Sequence, residues 1–375
     1  MIRSEPPPSG HDGNEERAGG VRALILSELK QLVTVQKSDR PWQMPVAAAL
    51  SSGLPIAVGA CFDHLDYGLV SSLGGLVFLY LPATSLHHRM VSLMACSFGM
   101  AACYALGLMS HFVPLVMVPI LSFIAILVTM VCRFYRLGPP SSLFFIMAAS
   151  IGAYAPVGIL QVPLLVGLLT MGSLLAGLIA LFYSVAILHQ RAALPVTPLP
   201  PATFGHVVFD PVVIGVFVGI SLALGQMLEL PRPYWVPVSC LAVIQGMSLR
   251  AVWNRQIHRV VGTGAGLLIS WGLLALPVDK WSIFLMITAL TLIIEVMIVR
   301  HYGLAVIFIT PLTIFLAEAA SLGHGSPTLL IQARFLDTIL GSVVGLMGGI
   351  CLHSPRFRDV AGRHLRRLIP LRMMP

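Results

Sequence analysis

Arg334, Asp337 and Gly341 stand at i, i+3 and i+7 in the run LLIQARFLDTILGSVVGLMGG, a spacing that puts all three on one face of a helix. A guanidinium and a carboxylate on one apolar helix face can serve a passing anion or ion, or pair with each other as a purely structural salt bridge. A second carboxylate, Glu295, interrupts LIIEVMIVRHYGLAVIFITPL, followed by Arg300 and Tyr302, and Glu318 lies near the end of the next apolar run. Ionisable groups inside such runs are costly in hydrocarbon, so they are candidates for substrate or proton handling by default. No partner for Glu295 is obvious within its own helix turn. It is expected to face the bundle interior or a wet cavity, neutralised by arginines of the same half or by a bound proton. Arg250, Arg255 and Arg259 read first as determinants of topology, and Arg250 and Arg259 also as a basic entrance for anions.

The elements that hold these residues follow from composition. Hydrophobic residues make up 57% of the 375 and charged residues 10%, and the mean hydropathy is +0.89, beyond what a soluble domain can hide from water. The chain reads as an all-α polytopic membrane protein. Residues 1–20 are polar and Pro/Gly-rich and are expected to be a disordered cytoplasmic tail. Residues 21–40 carry an apolar stripe opposite Ser27, Glu28, Lys30 and Gln31, as expected of an interfacial amphipathic helix. Apolar runs follow at 46–62, 68–83, 90–110, 112–132, 142–157, 160–188, 207–228, 234–248, 260–277, 281–299, 302–318 and 333–352. Twelve spans result, with ten as the alternative, because Pro55, Pro82, Pro156 and Pro237 break the short ones.

With both ends cytoplasmic, 23 Lys and Arg distribute so that only Arg232, Lys280 and Arg334 fall in or near outward segments, as retention of positive charge inside requires. RFY at Arg133 returns as RHY at Arg300, Tyr67 as Tyr234, Pro45 as Pro211, and His88-Arg89 as His258-Arg259. Two parallel six-helix repeats, 41–188 and 207–353, account for these echoes. A Pro-rich cytoplasmic linker, 189–206, joins them, and a basic cytoplasmic tail, 354–375, ends the chain. The offset that relates Arg133 to Arg300 brings Val128, Ile151, Gly167 and Thr170 opposite Glu295, Glu318, Arg334 and Asp337. One-sided polar chemistry argues for a substrate or ion site over symmetric glue.

Enzyme signals are missing: the chain has no HExxH, P-loop lysine, GxGxxG or GxSxG. No catalytic residue, cofactor or metal site is expected. The six cysteines sit in or at the ends of apolar runs without CxxC spacing and read as small buried hydrophobes. GxxxG spacings at Gly215/Gly219, Gly262/Gly266 and Gly341/Gly345/Gly349 read as close-packing faces.

RPYWVPVSCLAVIQ (from Arg232), HRVVGTGAGLLIS (from His258), EVMIVRHYGLAVIFITPLTIFLAE (from Glu295) and ARFLDTILGSVVG (from Ala333) together resemble the membrane half of the fusaric acid resistance protein-like family, which includes aromatic acid exporters. YWVP and GPPSSLFFIMA extend the likeness more weakly over most of residues 40–352. The resemblance implies a bacterial inner-membrane protein exporting organic anions, aromatic carboxylic acids among them, driven by the proton gradient. Family pattern positions include Tyr234, Trp235, Arg259, Thr263, Glu295, Arg300, Tyr302, Glu318, Arg334, Asp337 and Gly341. Larger relatives carry a cytoplasmic domain between the halves, where this chain has only the linker.

The expected mechanism gives Arg334 the substrate carboxylate, Arg250 or Arg259 the cytoplasmic entrance, and Glu295 or Asp337 the exchanged proton. Expected partners are an organic anion, the lipid bilayer and, through the resemblance, a periplasmic adaptor with an outer-membrane channel. Self-association stays open, and no nucleic acid is expected. A passive organic-anion channel and a non-transporting membrane scaffold are the alternatives.

Overall fold

A computed structural model describes residues 37–196, 198, 203–276, 279–318 and 327–368. The expected tail 1–20, most of the expected interfacial helix 21–40, and parts of the linker and of the C-terminal tail lie outside the described residues. The first half contains α1 (Gln43–Cys61), α2 (Leu65–Gly75), α3 (Leu86–His111), α4 (Pro114–Phe134), α5 (Leu143–Ala153) and α6 (Val162–Leu188). The second contains α7 (Asp210–Met227), α8 (Trp235–Ile244), α9 (Leu249–Leu274), α10 (Lys280–Met297), α11 (Tyr302–Glu318) and α12 (Pro327–His353). A further helix, α13 (Pro355–Leu368), follows.

Among the described residues, eight helices are long and apolar enough to cross a membrane, and four apolar helices are shorter: α2 with its 3-10 extension to Tyr80, α5, α8 and α11. Twelve full crossings were the expectation, and the short helices explain the difference. A ten-residue helix rises only about 15 Å, half of a hydrocarbon core about 30 Å thick. Such a helix is tolerated at membrane depth when protein encloses it. All ten residues of α8 are buried, and most of α5 is as well. The long helices form the surface instead, exposing Met94 and Phe98 of α3, Leu115 and Phe123 of α4, Met171 and Phe182 of α6, and Val261 and Leu268 of α9. That much exposed apolar surface marks a lipid-facing belt. The protein is a multi-pass membrane protein.

Long helices also extend beyond the apolar runs. α9 begins at Leu249 and includes Arg250, Arg255 and Arg259, where hydropathy alone starts a span at 260. α3 likewise takes in His87, His88 and Arg89. Pro55 lies inside an unbroken α1, and Pro237 sits in the first turn of α8, where its missing N–H breaks no helical bond.

Packing runs in pairs. In the first half α3 packs on α5 and α6, and α2 on α6; in the second α9 packs on α11 and α12, and α8 on α12. Two long seams join the halves, α4 against α7 and α10 against α1. Glycines make the closest approaches: a Cβ on Gly341 would fall 2.2 Å from the Val236 carbonyl oxygen, and one on Gly345 2.5 Å from that of Cys240. Buried hydroxyls close on their own helix, as Ser51 donates to the Ala47 carbonyl and Thr291 to that of Ile287, which removes their cost in hydrocarbon.

One end of the bundle collects the starts of α1, α7 and α9 with the ends of α4, α6 and α12. Its contacts include Arg191 donating to the Asp39 carbonyl (2.9 Å) and His353 against the Gly246 carbonyl (3.0 Å). This end is the basic face. At the opposite face, Lys280 at the start of α10 pairs with Asp63 beyond α1. The segment expected as a basic tail is in part helical: α13 packs Phe357 and Leu365 near Phe209, and Arg358 donates to Asp210 at 2.7 Å.

Candidate functional site

The second half holds a polar core inside an apolar bundle. Arg259, Arg334 and Asp337 are buried, at 6%, 3% and 0% exposure, together with Ser239, Thr263, Thr310, Thr313, Thr338 and Ser342. Four helices supply them. Ser239 comes from α8, Arg259 and Thr263 from α9, Thr310 and Thr313 from α11, and the rest from α12.

Each helix presents these groups for a local reason. On α12 the i, i+3, i+7 face that carries Arg334 and Asp337 ends in Gly341, and the missing side chain lets α8 approach closely enough for backbone contact. On α9, Gly262 and Gly266 do the same against Val306 and Ile307 of α11. Thus α8, α9, α11 and α12 converge tightly, with the two arginines enclosed between them. Arg334 stacks on the Trp235 ring with its guanidinium carbon 3.7 Å from the centroid and donates to the Thr313 hydroxyl at 3.0 Å. Arg259 donates to the Ser239 hydroxyl at 3.3 Å. Trp235 and Ser239 are one helical turn apart on α8, so both arginines rest on the same fully enclosed helix.

Aromatic groups lead away from Arg334 towards the first half. Trp235 lies 5.3 Å from Tyr234 between centroids, and Tyr234 lies 5.9 Å from Tyr154 of the loop after α5. Gln226 of α7 donates to the Tyr154 hydroxyl at 2.8 Å. Tyr154, Tyr234, Trp235 and Arg334 therefore form one continuous array that crosses from one half to the other.

The sequence-derived candidates separate in space. Arg334, Asp337 and Arg259 share the polar core. Arg259, expected at the entrance, is buried within the bundle instead, because α9 starts three turns earlier than hydropathy suggests. Arg250 is exposed and lines an open groove with Trp253 and Ile350 between α9 and α12. Arg300 is exposed in the turn between α10 and α11. Tyr302 opens α11, 6.2 Å from the His258 ring, which also lies 5.2 Å from His301. The Glu318 side chain lies outside the described residues.

Glu295 corrects an expectation. It is buried at 5%, and among the described residues its cation comes from the first half: Arg40, just before α1, donates to its Oε2 at 2.9 Å. Arg40 reaches it because α10 packs on α1. The other seam is pinned at the same end, where Asp210 at the start of α7 pairs with Arg133 at the end of α4.

Sequence reasoning missed Arg40, Asp210 and Arg89 as site residues. Arg89 is 6% exposed and donates to the Thr84 carbonyl at 2.8 Å and the Ser184 hydroxyl at 3.3 Å. Its signal was the His-Arg pair shared with His258-Arg259, read as an echo of duplication and as an inside charge.

Residues 212–348, most of the second half, match the model of a family described as fusaric acid resistance protein-like. The chain is 22% identical to "Uncharacterized membrane protein YvaC" of Bacillus subtilis (strain 168), over 88% of this chain and 75% of that protein. That alignment runs over 475 positions against a chain of 375, so the relative contains inserted segments. The chain is also 26% identical over 139 residues to "Uncharacterized protein YhfK" of Escherichia coli (strain K12), covering 37% of this chain and 19% of that protein. No solved structure matches.

Proposed function

We propose that the protein is a transporter that exports amphipathic organic anions, aromatic carboxylates among them, across a bacterial inner membrane. The observation that carries the reading is the burial of Arg259, Arg334 and Asp337 between α8, α9, α11 and α12 of a bundle with an apolar surface. Burying such charges costs several kcal/mol each even after relaxation. Buried charge is weak evidence for stability, and an ionisable group at membrane depth is a functional candidate by default. A guanidinium stacked on an indole, with two tyrosines next to it, suits a ligand that has an aromatic ring and an acid group. The match of residues 212–348 to the fusaric acid resistance protein-like family supports a role in transport or resistance.

The reading assigns Arg334 to the acid group, Trp235 and Tyr234 to the ring, and Asp337 to the proton exchanged in each cycle. Glu295 becomes an element of the seam between halves, since Arg40 neutralises it. Duplication into two six-helix repeats is supported by the matching pairs: α3 with α5 and α6 corresponds to α9 with α11 and α12, and α4 on α7 corresponds to α10 on α1. Movement of one repeat against the other along those seams would open the site to each side in turn. The positive charge of the basic face favours its placement in the cytoplasm.

Reconstituted into proteoliposomes, the wild-type protein is expected to move an aromatic acid under an imposed pH gradient. Arg334→Gln is expected to lower that flux at least about tenfold while the variant still reconstitutes, as loss of one charge-assisted contact predicts. Full flux in a folded Arg334→Gln variant removes the assigned site. Flux that ignores the pH gradient replaces the exporter with a passive channel.

A further inference from the structure

A second basic site lies in the first half, well separated along the chain from the polar core. A cavity of about 450 Å³ opens at the basic face between the start of α1, the turn before α3, and the end of α6. Three arginines from three elements line it, Arg40, Arg89 and Arg191, with Asp39 as the acidic member. Glu295 already neutralises Arg40, and Asp39 engages Arg191 through its backbone carbonyl. Arg89 is more than nine-tenths buried and is held rigidly by Thr84 and Ser184. Those two bonds use two of the five N–H groups of a guanidinium. The remaining wall is apolar and aromatic: Met44, Leu81, Tyr183, Ile187 and Leu194. The Tyr183 ring is itself braced edge-on by Phe78, 6.0 Å away.

An apolar chamber with a few fixed polar groups, in the range of about 300–1,000 Å³, has the form of small-molecule sites. Here the fixed groups are cationic, which selects an anion, and the walls select one with an apolar body. We propose that this cavity binds an amphipathic organic anion, its acid group on Arg89 and Arg191 and its apolar part against Tyr183, Leu81 and Ile187. The proposal deepens the transport reading, on which it rests, by giving the substrate a loading site distinct from Arg334. Arg40 belongs both to this cavity and to the α1–α10 seam, so an anion seated there competes with Glu295 for one guanidinium. Occupancy is thereby tied to the contact between the halves.

The test is binding of 1-naphthoate to the full-length protein in a neutral detergent, followed by naphthoate fluorescence, with phosphatidylglycerol added in a second arm. Saturable binding is expected, weakened at least about tenfold by Arg89→Gln and by Leu194→Trp. The second variant fills the cavity from an exposed position, and so it reports even where loss of Arg89 harms folding. Arg363→Gln, at an exposed position of α13 outside both sites, is expected to leave this binding within about twofold of wild type. Binding unaffected by Leu194→Trp and Arg191→Gln overturns the proposal. Complete displacement by phosphatidylglycerol at equal concentration also overturns it, and identifies the cavity as a lipid-headgroup site. Proton-driven flux without naphthoate binding here sinks the loading site and leaves the transport reading standing, whereas binding without flux does the reverse.

Discussion

Arg40 and Glu295 are 255 residues apart in sequence and 2.9 Å apart in space, an ion pair that clasps the start of α1 in one half to α10 in the other. The pair stands at the basic end of the α1–α10 seam. Lys280 and Asp63 close the opposite end, and Gly53 lets Thr288 pack against α1 between them.

Loss of one member of the Arg40–Glu295 pair strands a buried charge. Arg40→Gln is expected to destabilise the protein by up to about 3–5 kcal/mol, the range for breaking a buried pair from one side. The double variant Arg40→Gln/Glu295→Gln is expected to recover much of that loss. Thermal unfolding in detergent measures both, and equal losses in single and double variants would show that the pair is not coupled.

The Lys280–Asp63 pair responds to pH. The Lys280 ammonium, through a hydrogen bond and its charge, holds the Asp63 carboxyl below the usual carboxylate range. Its folded value is depressed, so its stabilising effect is present above the unfolded value of about 3.9 and fades as pH falls through the lower folded one. Asp63 is exposed, and salt screens the pair. Lys280→Gln is expected to return the Asp63 carboxyl towards the ordinary range, as a carboxyl-carbon NMR titration would register. An unmoved titration curve would exclude Lys280 as the cause.

Arg334 and Trp235 act as a stacked pair. Lys keeps the charge but loses the planar fork that lies on the indole, so Arg334→Lys is expected to impair flux nearly as much as Arg334→Gln. A double-mutant cycle with Trp235→Leu is expected to give a coupling of about 1–2 kcal/mol, the scale of a desolvated cation–π contact. Additive effects on unfolding would contradict the stacking.

Asp337 is assigned the exchanged proton. Asp337→Asn is expected to abolish pH-driven accumulation while downhill exchange of substrate persists. Retention of uphill, pH-dependent flux in this variant would move the coupling to another residue.

Gly341 sets the α8–α12 distance. Gly341→Val places a side chain where the Val236 carbonyl oxygen would lie 2.2 Å from its Cβ, and overpacking of this kind costs about 1–3 kcal/mol or more. A lower melting temperature in detergent is the expected result. A melting temperature equal to wild type would mean that α8 and α12 can separate without cost.

Membrane residence, the approximate positions of the apolar runs, and Arg334 with Asp337 on one helix face were legible in the residues because hydropathy and helical period are local properties. The Gly341 and Gly262 faces were legible for the same reason. Helix starts that carry charge were not: Arg250, Arg255 and Arg259 lower the hydropathy of α9 without unwinding it. Nor did hydropathy distinguish α8, apolar because protein surrounds it, from α4, apolar because lipid does.

Partners across the fold were beyond the sequence. Glu295 has the same neighbours in the chain whether its cation is Arg300, Arg334 or Arg40, and only the packing of α10 on α1 selects Arg40. Arg40, Arg89 and Arg191 read as separate inside charges until α1, α3 and α6 bring them around one cavity. Solvent preference fixes which segments leave water, residue by residue. Which charges then meet depends on helix contacts between distant segments, and that is a property of the assembled bundle alone.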